Sequence, residues 1–294
     1  MLNALSIDLE DWFHAELVRA RVTGDHPERR VPWAVEPVLT LLERYKVHAT
    51  FFVVGDVLRH HPDLVRRIHA AGHEIGCHGW SHRPLWTLAP ERFAEELDEF
   101  DRDAQGVIPP DEIIGYRAPT FSLDERTAWA VDVLRDHGYL YDSSIFPVRN
   151  YMYGVDGCPP HPYRLTRAEL TTAHAQGDLL EFPMSAYRLL GLDVPVSGGF
   201  YLRAMPLGLL RTFLARLNAQ GNPFVIYVHP WEADTHTPHV KSLGLVSRWI
   251  TYYNPASALR KLEALLQTFR FGPLREALAL QDQRRQPFGQ ENAG

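Results

Sequence analysis

The feature that most constrains this chain is a series of short apolar runs, several of which end on a polar or charged residue. Residues 4–8 end on Asp8, and residues 74–77 deliver His78. Residues 113–119 carry Arg117, and residues 139–144 carry Asp142. Residues 223–228, the most strand-like run, deliver His229. Residues 49–55 and 180–183 complete the set. Runs of this length, bounded by glycine and proline, read as strands. Between them, residues 34–45, 62–71, 90–105, 124–137 and 206–220 have helical periodicity, and residues 257–269 form a closing helix. The alternation predicts an α/β fold with a parallel sheet, closed or nearly closed into a barrel. In such folds the chemistry sits at the strand ends.

Residues 147–179 are rich in Pro, Gly, Tyr and His and read as an excursion over one face. Residues 196–203 read as a glycine–aromatic loop, with nothing after it that would make a phosphate loop. There is no internal repeat or low-complexity linker, so one domain over residues 1–280 is the simplest division. The tail at 281–294 is expected to be disordered.

A net charge of −6, with no basic run, gives no sign of nucleic-acid binding. The two cysteines, Cys77 and Cys158, make neither a disulfide framework nor a Cys-x-x-Cys zinc motif. Residues 1–8 have no basic stretch followed by a long apolar core, and no window is long and apolar enough for a membrane span. A cytoplasmic protein is therefore expected.

The chemistry concentrates in three places. His78 and His82 are four apart, a spacing at which two imidazoles converge on one face of a helical turn and suit zinc or another divalent transition metal. Asp8, Glu10 and Asp11 crowd the end of the first strand beside Trp12 and Phe13, where a cluster of acids can supply a metal ligand and a general base. His229 follows a buried strand and opens His229-Pro230-Trp231-Glu232.

In this order, Asp8 with its neighbouring acids, His78/His82, Arg117, Asp142 and His229 resemble the polysaccharide deacetylases, the superfamily of chitin, peptidoglycan and nodulation-factor deacetylases. Residues 49–53 and 72–76 are similar to that family's connecting segments, and the resemblance runs from about residue 5 to 232. Asp8-Leu9-Glu10-Asp11-Trp12-Phe13, Ser197-Gly198-Gly199-Phe200-Tyr201 and His229-Pro230-Trp231-Glu232 resemble a bacterial subfamily associated with exopolysaccharide and exosortase gene clusters.

The resemblance implies a distorted (β/α)7 barrel and a metal-dependent hydrolase that removes N-acetyl groups from amino sugars of a polysaccharide or its lipid-linked precursor. It implies His78 and His82 as metal ligands, with Asp11 as the preferred third ligand and Glu10 as the alternative. Asp8 is then the general base, Arg117 its partner, His229 the general acid and Asp142 the acid that orients His229. The metal is one divalent ion, Zn²⁺ first, with Co²⁺, Ni²⁺ or Mn²⁺ also accommodated. Trp80, Pro119, Phe121 and Trp231 are the candidate substrate contacts, with the Phe121 N–H as an oxyanion donor. An N-acetylated glycan is the expected partner, together with polysaccharide-assembly enzymes. Three other readings stay open: an O-acetyl esterase, a small-amide hydrolase with the same site, and a non-catalytic glycan-binding protein.

Overall fold

A computed structural model describes residues 1–22 and 27–279. The tail expected at 281–294 lies outside the described residues. Among the described residues there are eleven strands: β1 (Leu2–Leu9), β2 (Thr50–Val53), β3 (Glu74–Cys77), β4 (Gly115–Tyr116), β5 (Tyr141–Asp142), β6 (Tyr163–Leu165), β7 (Leu179–Glu181), β8 (Ala186–Leu189), β9 (Leu192–Pro195), β10 (Val225–Val228) and β11 (Arg270–Gly272). The longer helices are α1 (Glu36–Tyr45), α2 (Pro62–Ala70), α3 (Pro90–Ala104), α4 (Ala130–Asp136), α5 (Leu207–Ala219), α6 (Leu245–Tyr252) and α7 (Ala256–Leu266). Proline opens α2 and α3 in the first turn, where its missing N–H costs no hydrogen bond.

The main sheet runs β10-β1-β2-β3-β4-β5-β7-β6, with β11 also paired to β1. All its pairings are parallel except β6 with β7. β1 to β3 and β10 are buried almost throughout, as parallel strands covered on both faces require. The sheet curls far enough that Asp8 at the end of β1 touches Arg117 just past β4, three strands away in the sheet, at 2.6 Å. This is the expected α/β barrel in the form of a curled half-barrel. The strand ladder itself does not close. Residues 182–198 cross the gap instead, with the Phe182 N–H on Asp142 O (2.9 Å), the Val225 N–H on Ser185 Oγ (2.9 Å) and the Tyr227 N–H on Ser197 O (3.0 Å). Gly198 has to be glycine here, because a Cβ would stand 2.0 Å from the Tyr227 carbonyl oxygen.

The structure departs from the sequence reading in several segments. β4 and β5 keep only two paired residues each of the longer predicted runs. Residues 124–129 are turns rather than the start of a helix. The glycine–aromatic loop becomes a helix at Gly199–Ala204, and the 147–179 excursion includes β6. The β8–β9 hairpin, α6 and β11 had no counterpart among the predicted elements.

Two buried carboxyls face each other where β5 pairs with β7, Asp142 opposite Glu181. The Ser144 hydroxyl donates to Asp142 Oδ1 (2.5 Å), and the Ile145 N–H donates to Glu181 Oε1 (3.0 Å). Among the described residues Asp142 Oδ2 and Glu181 Oε2 have no donor, and a proton held between the two carboxyls would satisfy both. Burial pushes Asp142 up to about 6, against its bonds to Glu181 and Ser144. Burial and then the Asp142 charge push Glu181 well above the usual carboxylate range. A carboxyl raised in the folded state binds its proton more tightly there than in the unfolded chain, so stability falls as pH rises from about 4.3 through the folded value. Glu181→Gln removes that proton uptake. Comparing urea unfolding at pH 5 and pH 8, the variant should gain stability relative to wild type as pH rises. A pH-independent difference would show that the pair does not hold a proton.

Candidate active site

Strand alternation decides which acids of the opening cluster face the interior. Asp8 and Glu10 are two apart and point to the same side as β1 ends. Both are 2% exposed. Glu10, His78 and His82 offer ligand atoms that all lie within 4.8 Å of one another, and all three are buried. His82 Nε2 stands 2.6 Å from Glu10 Oε2, and the His78 and His82 ring centroids are 4.9 Å apart. The histidines do not converge through a helical turn. The chain bends after β3 with Gly79 (φ +69°) and His82 (φ +54°) both left-handed, and that bend swings the second imidazole back over the first.

The protonation of these groups favours a cation. His78 Nδ1 lies 2.8 Å from the Arg117 carbonyl oxygen, which can only accept. Nδ1 therefore carries the hydrogen, and the lone pair sits on Nε2, toward the cluster. Burial lowers His78 to about 4, so it is neutral at physiological pH. Burial raises Glu10, but the charges and hydrogen bond of the neighbouring imidazoles outweigh it and hold the carboxyl well below its ordinary range. His82 Nδ1 is buried without a hydrogen-bond partner among the described residues, and Glu10 Oε2 faces the His82 imidazole alone. Two buried imidazoles converging on a carboxylate are a donor set suited to a divalent transition metal.

Asp11, the preferred third ligand from sequence, is not in this cluster. It emerges one residue after Glu10 and turns away. Its carboxylate accepts the N–H groups of Trp12 (3.0 Å), Arg30 (2.8 Å) and Val31 (3.2 Å), tying the strand end to the following segment. Burial pushes it up to about 6, against those three bonds.

Asp8 stands beside the cluster. Its Oδ1 accepts from Arg117 Nη1 (2.6 Å), while its Oδ2 lies 4.0 Å from His78 Nε2 and 3.8 Å from His229 Nε2. Arg117 is fully buried and well partnered. Nη1 also reaches Ser6 Oγ (2.7 Å), Nε donates to Ser143 O (3.0 Å), and Nη2 donates to Ser143 Oγ (2.9 Å).

His229 arrives from β10 on the far side of Asp8. Its Nδ1 meets Glu232 Oε2 at 3.1 Å, and its ring stacks on Trp231 at 5.1 Å between centroids. Burial lowers the imidazole, but the Glu232 bond and charge, followed by the Glu10 and Asp8 charges, carry it up to about 9. Burial raises Glu232, while Arg203 and His229 bring it down to about 2. Arg203 is 2% exposed, and its Nε donates to Glu232 Oε1 at 2.7 Å. The acid expected to orient His229, Asp142, instead sits in the Glu181 pair described above. Sequence reasoning quoted Glu232 in its motif but gave it no role. The signal was the i, i+3 spacing in a tight turn after the strand.

These groups form the floor of a cavity of about 250 Å³, walled mainly by Thr120, Phe121, Tyr153, Phe200, Trp231 and Trp249. Of the expected substrate contacts, Phe121 and Trp231 line it, and the Trp231 indole also donates to Glu10 Oε1 (2.8 Å). The Phe121 N–H donates to the Ala118 carbonyl (3.1 Å) within its own left-handed turn, so it is already engaged. Pro119 is buried behind the wall beside Gly79, where an added Cβ would lie 3.3 Å from its ring. Trp80 faces α3, bonding Asp103 Oδ2 (2.8 Å) under the Arg59 guanidinium, and is not a wall residue. Trp12 packs with Val18 and Leu243, and its indole N–H bonds Glu28 O (2.9 Å).

Against known families, residues 25–141 match the polysaccharide deacetylases, and residues 143–279 match a domain of unknown function, DUF3473. The first segment holds His78, His82 and Arg117, and the second holds Arg203, His229 and Glu232. Asp8 and Glu10 precede both. Among curated proteins the chain is similar to the peptidoglycan-N-acetylmuramic acid deacetylase PdaC of Bacillus subtilis, 35% identical over 29% of this chain and 17% of that protein. It is also similar to a chitooligosaccharide deacetylase of Sinorhizobium fredii, 32% identical over 42% of this chain and 66% of that one. The chain thus spans less than half the length of PdaC. A crystal structure from Mycobacterium smegmatis, described as a polysaccharide deacetylase, shares the fold with a TM-score of 0.61 at 20% identity, over 94% of this chain and 88% of that one. The family match and the similarity to known deacetylases assign residues 25–141 to the polysaccharide deacetylase superfamily, and the fold over nearly the whole chain is shared with the Mycobacterium smegmatis structure.

Proposed function

We propose that this chain is a divalent-metal-dependent N-deacetylase, releasing acetate from acetylated amino sugars of a polysaccharide or its lipid-linked precursor. The observation that carries the reading is the Glu10/His78/His82 cluster, with a tethered carboxylate, Asp8, on one side and a protonated imidazole, His229, on the other.

Glu10, His78 and His82 would hold the cation, with Zn²⁺ the first candidate and Co²⁺, Ni²⁺ or Mn²⁺ able to replace it. When bound, such an ion polarises the acetamide carbonyl and makes water more acidic. The rest is done by the chain's own side chains. Arg117 grips Asp8 by Oδ1 and leaves Oδ2 free to take a proton from attacking water. His229 is kept charged by Glu232 and keeps its Nε2–H toward the site, where it can protonate the departing amine. An amine is a poor leaving group, so a positioned acid is worth about 10²–10⁴-fold. Trp231 fixes the Glu10 carboxylate from one side and the His229 ring from the other. The finer assignment, to exosortase-associated exopolysaccharide modification, draws support from the Asp8–Phe13, Ser197–Tyr201 and His229–Glu232 motifs contributing to one cavity.

Two measurements test this. Purified wild type should carry close to one transition-metal ion per chain and release acetate from N-acetylated chito-oligosaccharide. Chelator should abolish the activity, and Zn²⁺ should restore it. The His78→Ala/His82→Ala variant should lose both metal and activity. Wild type that takes up no metal on reconstitution would sink the reading in favour of a glycan-binding protein.

Glu232→Gln should lower kcat on the amide by about 10²-fold or more with little change in KM. On an acetyl ester with a good leaving group it should act nearly as wild type. An equal fall on both substrates would remove His229 from the role of acid.

A further inference from the structure

Helix α6 is turned the wrong way round for an ordinary surface helix. Its Thr251 is buried, and Ser247 and Ile250 are half-buried. Outward it shows Leu245 at 85% exposure, Val246 at 65% and Trp249 at 54%, followed by Tyr253 at 36%. A soluble helix normally directs its apolar stripe to the core. Leu245 and Val246 are not part of the cavity wall, so a sugar in the cavity gives them no role. The patch is nevertheless continuous with the cavity mouth through Trp249, and Tyr151, 71% exposed, lines the same cavity.

The charge on the α6 segment itself is of one sign. From Thr235 to Leu262 the chain has no Asp or Glu, although the whole chain is acidic with a net charge of −6. Lys241 and Arg248 are exposed on this segment. Glu16, from the short Glu16–Arg19 helix that packs against α6, is held by Arg19 at 3.7 Å. The face is also fixed in place. Arg203, which holds Glu232, donates to the carbonyls of Ile250 (2.9 Å), Thr251 (3.2 Å) and Tyr253 at the end of α6.

Protruding aliphatic side chains, Trp and Tyr at their margin, and exposed Lys and Arg with no acids between them are the composition that seats a helix in a headgroup layer. We propose that the α6 face docks on an anionic phospholipid surface, with Leu245 and Val246 entering the acyl boundary and Lys241 and Arg248 meeting lipid phosphates. The cavity mouth then opens at headgroup level. Binding is read without turnover, so its failure is distinguishable from failure of the proposed reaction.

The test is flotation of the full chain with phosphatidylcholine vesicles, with and without phosphatidylglycerol. Wild type should float with the phosphatidylglycerol vesicles only, and salt should release it. Leu245→Glu/Val246→Glu should not float, and Lys241→Gln/Arg248→Gln should partition about 10-fold less or weaker still. Leu190→Glu, at the exposed β8–β9 hairpin, should float as wild type does. All four substituted side chains of the two double variants are on the surface, so thermal melts should match wild type. No flotation of wild type, or equal flotation of Leu245→Glu/Val246→Glu, would overturn the proposal. So would loss of flotation in Leu190→Glu, or sedimentation showing a wild-type dimer that Leu245→Glu/Val246→Glu dissociates.

Discussion

The buried pair between Asp8 and Arg117 is the interaction on which the rest of the site depends. Both groups are almost wholly buried, and isolating either charge in the interior would cost several kcal/mol. The arrangement is tolerable because Arg117 spends its donors on Asp8, Ser6 and both oxygens of Ser143, and lays its face on Phe52 at 4.2 Å. The same residue sets two features of the candidate site at once. Its side chain selects which Asp8 oxygen is free, and its backbone carbonyl fixes the His78 tautomer. Removing one partner of such a pair costs about 3–5 kcal/mol, a large share of the 5–15 kcal/mol typical of a folded domain. The proposed base and a proposed ligand histidine are thus held by a contact the fold itself cannot easily lose.

The His229 arm of the site is built separately. It uses the second half of the chain: Arg203 to Glu232 to His229, with Trp231 reaching across to Glu10. The two halves are not stacked end to end. β1 carries Asp8, with Glu10 directly after its end, and pairs with β10 on one side and β2 on the other, so the proposed base is flanked by the strand of the proposed acid and by the first half's sheet. A match that splits near residue 142 therefore divides a sheet that is continuous from β4 through β5 to β7.

Much of this was legible in the sequence, because a parallel sheet forces its polar residues to the strand ends. The order of Asp8, His78, Arg117 and His229 follows directly from that rule. Glu10 over Asp11 was legible too, since period-two alternation puts Asp8 and Glu10 on one side. The preference for an aspartate obscured a purely geometric signal. Asp142 was harder. A strand-end acid satisfies the pattern equally well as a partner of His229 or as half of a carboxyl pair, and only the strand register with β7 brings Glu181 opposite it. Trp80 and Trp231 flank similar motifs, but the left-handed bend at Gly79 turns one outward while the tight turn after β10 turns the other inward. Helix α6 escaped because sequence periodicity assumes that apolar residues face the core. Here Leu245, Val246 and Trp249 do not.

Arg203 shows why the second half cannot be regarded as decoration on a catalytic first half. Its guanidinium satisfies the carbonyls at the C-terminal end of α6, which have no partner within the helix. Its Nε simultaneously holds the carboxylate that charges His229. A displacement of α6 would carry those carbonyls with it and draw on the same guanidinium that positions Glu232. The planar fork of an arginine resists bending at such a junction, where a lysine would swivel. The outer apolar face and His229, the proposed proton donor, are therefore joined by three hydrogen-bonded steps through two buried residues, Arg203 and Glu232. That junction lies wholly within residues 143–279, the part of the chain that the deacetylase family model does not describe.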